Sequence, residues 1–142
     1  MAHFVRLVLA LALVGGAVVA IARWPHLSQV ETSRTPEYPH LKIREYAAPE
    51  DKVARAARKA IAALPRWKLV GGGSGAGGAE IQAEATTPVG FKSDVFVRIR
   101  RGGGRTTVSV LSRNQSLPWD FGQNARNIEA FQSELAREMF LP

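Results

Sequence analysis

Residues 80–113 alternate apolar and polar side chains in three successive runs, and no other feature of the chain restricts its fold so strongly. In the first run Ile81, Ala83 and Ala85 fall on one side of an extended chain. A turn at Thr86-Thr87-Pro88-Val89-Gly90 leads to the second, with Phe91, Ser93, Val95, Val97 and Ile99 on one face and Lys92, Asp94, Phe96, Arg98 and Arg100 on the other. Gly102-Gly103-Gly104 then turns the chain into a third run, with Thr106, Val108 and Val110 inward and Thr107, Ser109, Leu111 and Arg113 outward. A period of two belongs to half-buried strands, and short turns between such runs make an antiparallel meander with one wet face.

An apolar sheet face needs a cover, and two helical patterns supply it. Pro49-Glu50-Asp51 sets a proline at the first helical position and two acids at the positive end of the dipole. Val53, Ala57, Ala60, Ile61 and Leu64 then recur at helical spacing until Pro65 stops the run. The opposite face carries Lys52, Arg55, Arg58 and Lys59; with Asp51 placed to pair with Arg55 at i,i+4, it reads as a solvated face. The last helix is the clearest: Phe121, Ala125, Ile128, Phe131, Leu135 and Met139 form one stripe, Asp120 stands at the N-cap and Gln123 completes a capping box.

Leu41, Ile43 and Tyr46 predict a short strand, and Trp67 and Leu69, alternating with Lys68 and Val70, another. The run Gly71-Gly72-Gly73-Ser74-Gly75-Ala76-Gly77-Gly78 is no phosphate loop, because no Lys-Ser/Thr pair closes it and a strand follows. It reads as a flexible hairpin loop. The order strand, helix, four strands, helix predicts a single α+β domain over residues 41–142. Its twisted antiparallel sheet has about five strands, with both helices on the apolar face.

Residues 4–22 are apolar except for Arg6, and the unbroken stretch 7–22 covers about 24 Å as a helix against a hydrocarbon core of roughly 30 Å. Residues 1–23 therefore predict a transmembrane anchor with Arg6 and Arg23 as flanks and Trp24 as an interfacial aromatic. The alternative is a signal peptide cleaved at Ala20-Ile21-Ala22, near Ala22. The amino end and Arg6 favour a single pass of the cytoplasmic membrane with the domain outward, or a periplasmic domain after cleavage. Residues 24–40, with Pro25, Pro36 and Pro39 among polar residues, read as an extended linker.

Composition excludes several chemistries. The chain has no cysteine, which removes thiol nucleophiles, disulfides and thiolate metal sites. His3, His26 and His40 stand apart from each other and from acids at useful spacing, so no metal site, histidine triad or cofactor is expected. Setting aside Arg6 and Arg23, 17 basic residues face 12 acidic ones, a net of +5. That charge suits several anionic partners. Nucleic acid, on Lys92, Arg98, Arg100, Arg101, Arg105 and Arg113 with Phe96 as a stacking platform, is not expected of an exported domain.

The densest polar run, Ser112-Arg113-Asn114-Gln115-Ser116-Leu117-Pro118-Trp119-Asp120-Phe121-Gly122-Gln123-Asn124, spans the junction from last strand to last helix. Candidate binding residues are Asp94, Arg98, Arg113, Asp120 and Asn124, of which Arg113, Asp120 and Asn124 are expected to cluster there. A purely structural arrangement competes: Asp120 caps the helix, Asn124 and Arg113 satisfy the turn, and Asp94 pairs with an arginine.

Two motifs in this region, Thr86-Thr87-Pro88-Val89-Gly90-Phe91-Lys92-Ser93-Asp94-Val95 and the junction run through Ile128, resemble the bacterial and plastid family known as domain of unknown function 1499. The resemblance covers about residues 38–137. This chain departs from the usual pattern in having Ser93 where an acid often precedes Asp94, and Gln115-Ser116 where many members have a small residue and glycine. The family's members are often membrane-attached or exported, and it brings no known activity. The element order is also similar to helix-grip and TATA-binding-protein-like folds, in which a curved sheet embraces a long C-terminal helix.

These readings imply a membrane-attached cell-envelope domain, held through residues 4–22, that binds a lipid or small apolar ligand between sheet and helix, or a protein partner. The alternative is a hydrolase- or isomerase-like enzyme using Asp94 and Asp120 as acid and base.

Overall fold

The alternating runs form the centre of the sheet. In the computed structural model, which describes residues 1–23 and 25–141, they are β4 (Gly78–Thr86), β5 (Lys92–Gly102) and β6 (Arg105–Asn114). Ile81, Ala83, Val95, Val97, Ile99, Val108 and Val110 are all buried on one face, as the alternation requires. Around them lie α1 (Ala2–Arg23), β1 (Gln29–Glu31), β2 (Arg44–Tyr46), α2 (Glu50–Ala63), β3 (Trp67–Gly75) and α3 (Gln123–Phe140). The expected interfacial role of Trp24 lies outside the described residues.

The α+β architecture is the expected one, with six strands among the described residues rather than about five. The open antiparallel sheet runs β1-β6-β5-β4-β3, and β2 also pairs with β6. α2 and α3 lie side by side on its apolar face, α2 over β3, β4 and β5 and α3 over β6 and β1. Alanines 54, 56, 57 and 60 let α2 approach closely, and Phe131 of α3 is fully buried with its ring 6.4 Å from that of Trp67. The basic side of α2 is solvated, with Arg55 bonded to Asp51 at 2.8 Å.

Three segments differ from expectation. The stretch read as a linker is folded into the domain: Val30 of β1 is buried, and Thr32 exchanges hydrogen bonds with Val110, its N–H donating to the carbonyl and its hydroxyl accepting from the N–H, both at 3.0 Å. A three-residue strand is too short to show a period, so only its partner on β6 reveals it. The strand expected from Leu41 shortens likewise to β2, while Leu41 turns into the core.

The glycine run is also strand rather than loop. β3 continues through Gly75, pairing Gly72 with Ile81 and Gly73 with Glu80, and only residues 76–77 turn. Backbone ladders need no side chains, so a glycine strand pairs once its neighbour is ordered. A register shift between Leu69 and Gly71 leaves Leu69 and Val70 half exposed. Gly72 has φ 140°, and a Cβ there would collide with the Glu80 carbonyl, so glycine is required.

α1 stands apart: its described side chains are exposed, and His3–Arg23 is long and apolar enough to cross a membrane. That is compatible with an anchor or a signal sequence.

Candidate functional site

Strand alternation divides the expected site between two faces. At the end of β6, Ser112 points inward and Arg113 outward, so Arg113 does not join Asp120 and Asn124. The predicted three-residue cluster is thereby corrected to two separate groups.

The inner group ties β1, β6 and α3 together. The Ser112 hydroxyl donates to Asn124 Oδ1 at 2.7 Å and accepts from Asn127 Nδ2 at 3.1 Å. Asn124 Nδ2 donates to the Ser28 carbonyl at 3.1 Å and to Asn114 Oδ1 at 3.0 Å. The Asn124 side chain thus uses both amide protons and its oxygen within the fold. The Asp120 carboxylate accepts from the backbone N–H of Gly122 at 2.9 Å and of Asn124 at 2.6 Å. It caps the helix from two residues before the N-cap, because Gly122, at φ 77°, occupies the N-cap itself. The capping box does not form: Gln123 Nε2 donates forward to Asn127 Oδ1 at 2.9 Å. Beside this group Ser93, Asn114, Asp120 and Gln123 line a pocket of about 60 Å³, large enough for water but not for a metabolite.

The outer group lies on the wet face of the meander. Arg113 reaches Asp94 at 3.4 Å, with its guanidinium 5.6 Å from the centre of the Phe96 ring. Asp94 faces Glu84 directly across the β4–β5 ladder, an arrangement that alone is repulsive. The Gln115 amide relieves it by donating to both carboxylates at 3.0 Å, and Lys92 approaches Glu84 at 3.0 Å. The Gln115 hydrogen bond, then Lys92, holds the Glu84 carboxyl below its ordinary value. Further along, Glu80 is shared by Arg98 at 3.6 Å and Arg100 at 3.1 Å, which leaves the trio with one positive charge.

Next to that trio a surface pocket of about 340 Å³ is lined by Gly72, Gly73, Glu80, Gln82, Phe96 and Arg98, with the backbone of Ile81 and Val97 beneath. It exists because β3 carries glycines where side chains would otherwise fill the face. By contrast, the space between sheet and helices, where an apolar ligand was expected, is occupied by Ile61, Ile128, Phe131 and Leu135.

Asp94 and Asp120 lie on opposite faces of the sheet, each with its own partners, so they do not form the expected acid and base pair. The acid that Asp94 does meet, Glu84, was within reach of the sequence. A hairpin that pairs Thr86 with Lys92 sets Glu84 opposite Asp94. Ser112 and Asn127 were signalled too, as polar residues at core positions of β6 and α3. Gln115 stood out only as a departure from the family pattern; its contacts were not legible, since its reach depends on how the chain leaves β6.

A search of the curated proteins found none that matches. Among solved structures the chain is similar to CalU16 from Micromonospora echinospora, at 16% identity over 79% of this chain and 85% of that one, with a TM-score of 0.47. It is also similar to TTHA0849 from Thermus thermophilus, at 14% identity over 78% of this chain and 96% of that one, TM-score 0.40. Neither likeness bears on function. A family model matches residues 22–135, from the end of α1 through most of α3, and the chain therefore belongs to the family described as protein of unknown function (DUF1499).

Proposed function

We propose that this chain is a membrane-attached binding domain, exposed on the outer side of the cytoplasmic membrane, whose wet sheet face holds an extended segment of a protein partner. The observation that carries this reading is the glycine-floored pocket beside Phe96 and Arg98. It adjoins β3, the edge of the sheet, whose outward backbone groups are open to an added strand. An incoming strand would gain ladder hydrogen bonds from β3, an aromatic contact from Phe96, and an anionic group would complete the Arg98-Glu80-Arg100 trio. Asp94 and Arg113 frame the same face, whereas Asp120 and Asn124 serve the fold. α1 supplies the attachment; if it is cleaved near Ala22, the strands and helices from β1 onward are all retained.

The test is native mass spectrometry of the intact protein extracted from its own membrane in mild detergent, beside two variants. Gly73→Trp fills the pocket at a position with open space around it, and Arg98→Glu reverses the charge. A co-purifying polypeptide held by the wild type and lost from both folded variants supports the reading. A retained lipid of defined mass, unaffected by Gly73→Trp, overturns it.

A further inference from the structure

Three segments distant in sequence meet at one end of the sheet. The Asn114 N–H donates to the Ser28 carbonyl at 2.8 Å, Asn114 lies opposite Ser93, and Thr86 lies opposite Lys92. The exit from α1, the turn at residues 87–91 and the junction at residues 115–122 therefore share that end. The hairpin turns at residues 76–77 and 103–104 lie at the other.

Apolar side chains are left in water at the shared end. Val89 is 78% exposed, Phe91 51% and Phe121 43%. The Trp119 ring, partly buried, lies 4.5 Å from Phe121 and 4.4 Å from His26. Phe121 holds φ 51°, a left-handed conformation unfavourable for a bulky residue, and the Asp120 bonds to Gly122 and Asn124 fix the turn around it. The fold thus turns this ring outward although the core lies beneath.

We propose that this end is a membrane-docking surface and that its occupant is the bilayer holding α1. The inference rests on α1 being a retained anchor. Continuity carries it: His26, whose ring packs against that of Trp119 at a tilt of 31°, is only three residues past Arg23, a span of about 10 Å at most. Val89, Phe91, Trp119 and Phe121 are accordingly held at the height of the head groups, the layer that aromatic rings prefer. Arg23 and Arg66 flank the same end and suit lipid phosphates, Arg66 being placed there by its bond to the Thr86 carbonyl at 3.3 Å. Because α1 already confines the domain to the surface, rings too few to bind a membrane alone suffice to dock it. Docking stands the strands away from the bilayer. Arg98, six residues along β5 from Lys92, then lies roughly 20 Å above the head groups, presenting the glycine-floored pocket at a fixed height.

The absence of cysteine makes the test direct. Full-length single-cysteine variants Leu13→Cys, Val89→Cys and Gly77→Cys are spin-labelled in nanodiscs of phosphatidylethanolamine and phosphatidylglycerol. Collision with lipid-soluble oxygen is then compared with collision with a water-soluble nickel chelate. The Val89 label is expected to show an oxygen-to-nickel ratio several-fold above that of the Gly77 label, falling to the Gly77 value when Phe91→Asp and Phe121→Asp are added. A Val89 label as open to nickel as the Gly77 label, with the Leu13 label in lipid, overturns docking while the anchor stands. A Leu13 label in water overturns both. A Val89 label shielded from both reagents means that protein covers this end, which also overturns the proposal.

Discussion

The two polar groups at the end of β6 are built from similar residues and differ in what they leave free. On the inner side, Ser112, Asn114, Asp120, Asn124 and Asn127 bond to one another or to backbone, and among the described residues no buried side-chain polar atom lacks a partner. Such closure stabilises a fold and gives a ligand nothing to hold. On the outer side the pairs are exposed, longer and shared, as where Glu80 serves two arginines. Exposed pairs contribute little to stability, and a partner that supplies better geometry can exchange them. Polarity marks both regions equally; only the second keeps bonding capacity to offer.

The comparison breaks most readily at Asn124. Asn124→Leu leaves the Ser112 hydroxyl without its acceptor and Asn114 Oδ1 without a donor, and removes one of the two donors to the Ser28 carbonyl, all in the packed seam that α3 makes with β6. A loss of about 3 kcal/mol follows, with the melting temperature falling by about 10 °C. Arg98→Ala on the outer face is expected to cost less than about 1 kcal/mol. Urea denaturation of both variants measures the contrast. Similar losses at the two positions would mean that the inner group is not the structural one.

A smaller effect separates two adjacent glycines of the outer pocket. Gly72→Ala drives a Cβ into the Glu80 carbonyl at a φ of 140° and is expected to destabilise by about 2 kcal/mol. Gly73→Ala meets nothing within 4 Å and is expected to change stability by less than about 0.5 kcal/mol. Equal effects, read from thermal melts, would show that β3 is not held to β4 in this register, and the pocket floor would be lost with it.

The sequence revealed these regions unequally. Period-two alternation in β4, β5 and β6 and the stripe of α3 identified the core, because burial on one face writes itself into every second or every third and fourth residue. The same alternation already placed Arg113 on the face away from Ser112, so its separation from Asn124 was legible in principle. β1 was not, since three residues carry no period and their pairing is decided by β6. The glycine strand was hidden for a related reason: glycine's preference for loops is weak and was outweighed by an ordered neighbour whose ladder it completes. The cap showed its residue but not its geometry, because Gly122 at the N-cap leaves Asp120 two residues behind it.

The smallest expected effect concerns pH and sharpens the outer group alone. Glu84, held below its ordinary value of 4.5 by Gln115 and then by Lys92, is favoured as a carboxylate in the folded chain. A depressed carboxyl contributes stability that is complete above its ordinary value and is lost as pH falls through the lower, folded one. The difference in urea midpoint between wild type and Glu84→Gln should therefore be constant above about pH 5.5 and shrink below about 4.5. Asp51, lowered by its bond to Arg55 on α2, shifts in the same direction, so Asp51→Asn provides the reference for a simple surface pair. Gln115→Ala distinguishes the two: it should reduce the acid-sensitive contribution at Glu84 and leave that at Asp51 unchanged. If Gln115→Ala leaves the Glu84 profile intact, the amide is not bridging Glu84 and Asp94, and these two acids repel across the ladder with only Lys92 and Arg113 to offset them.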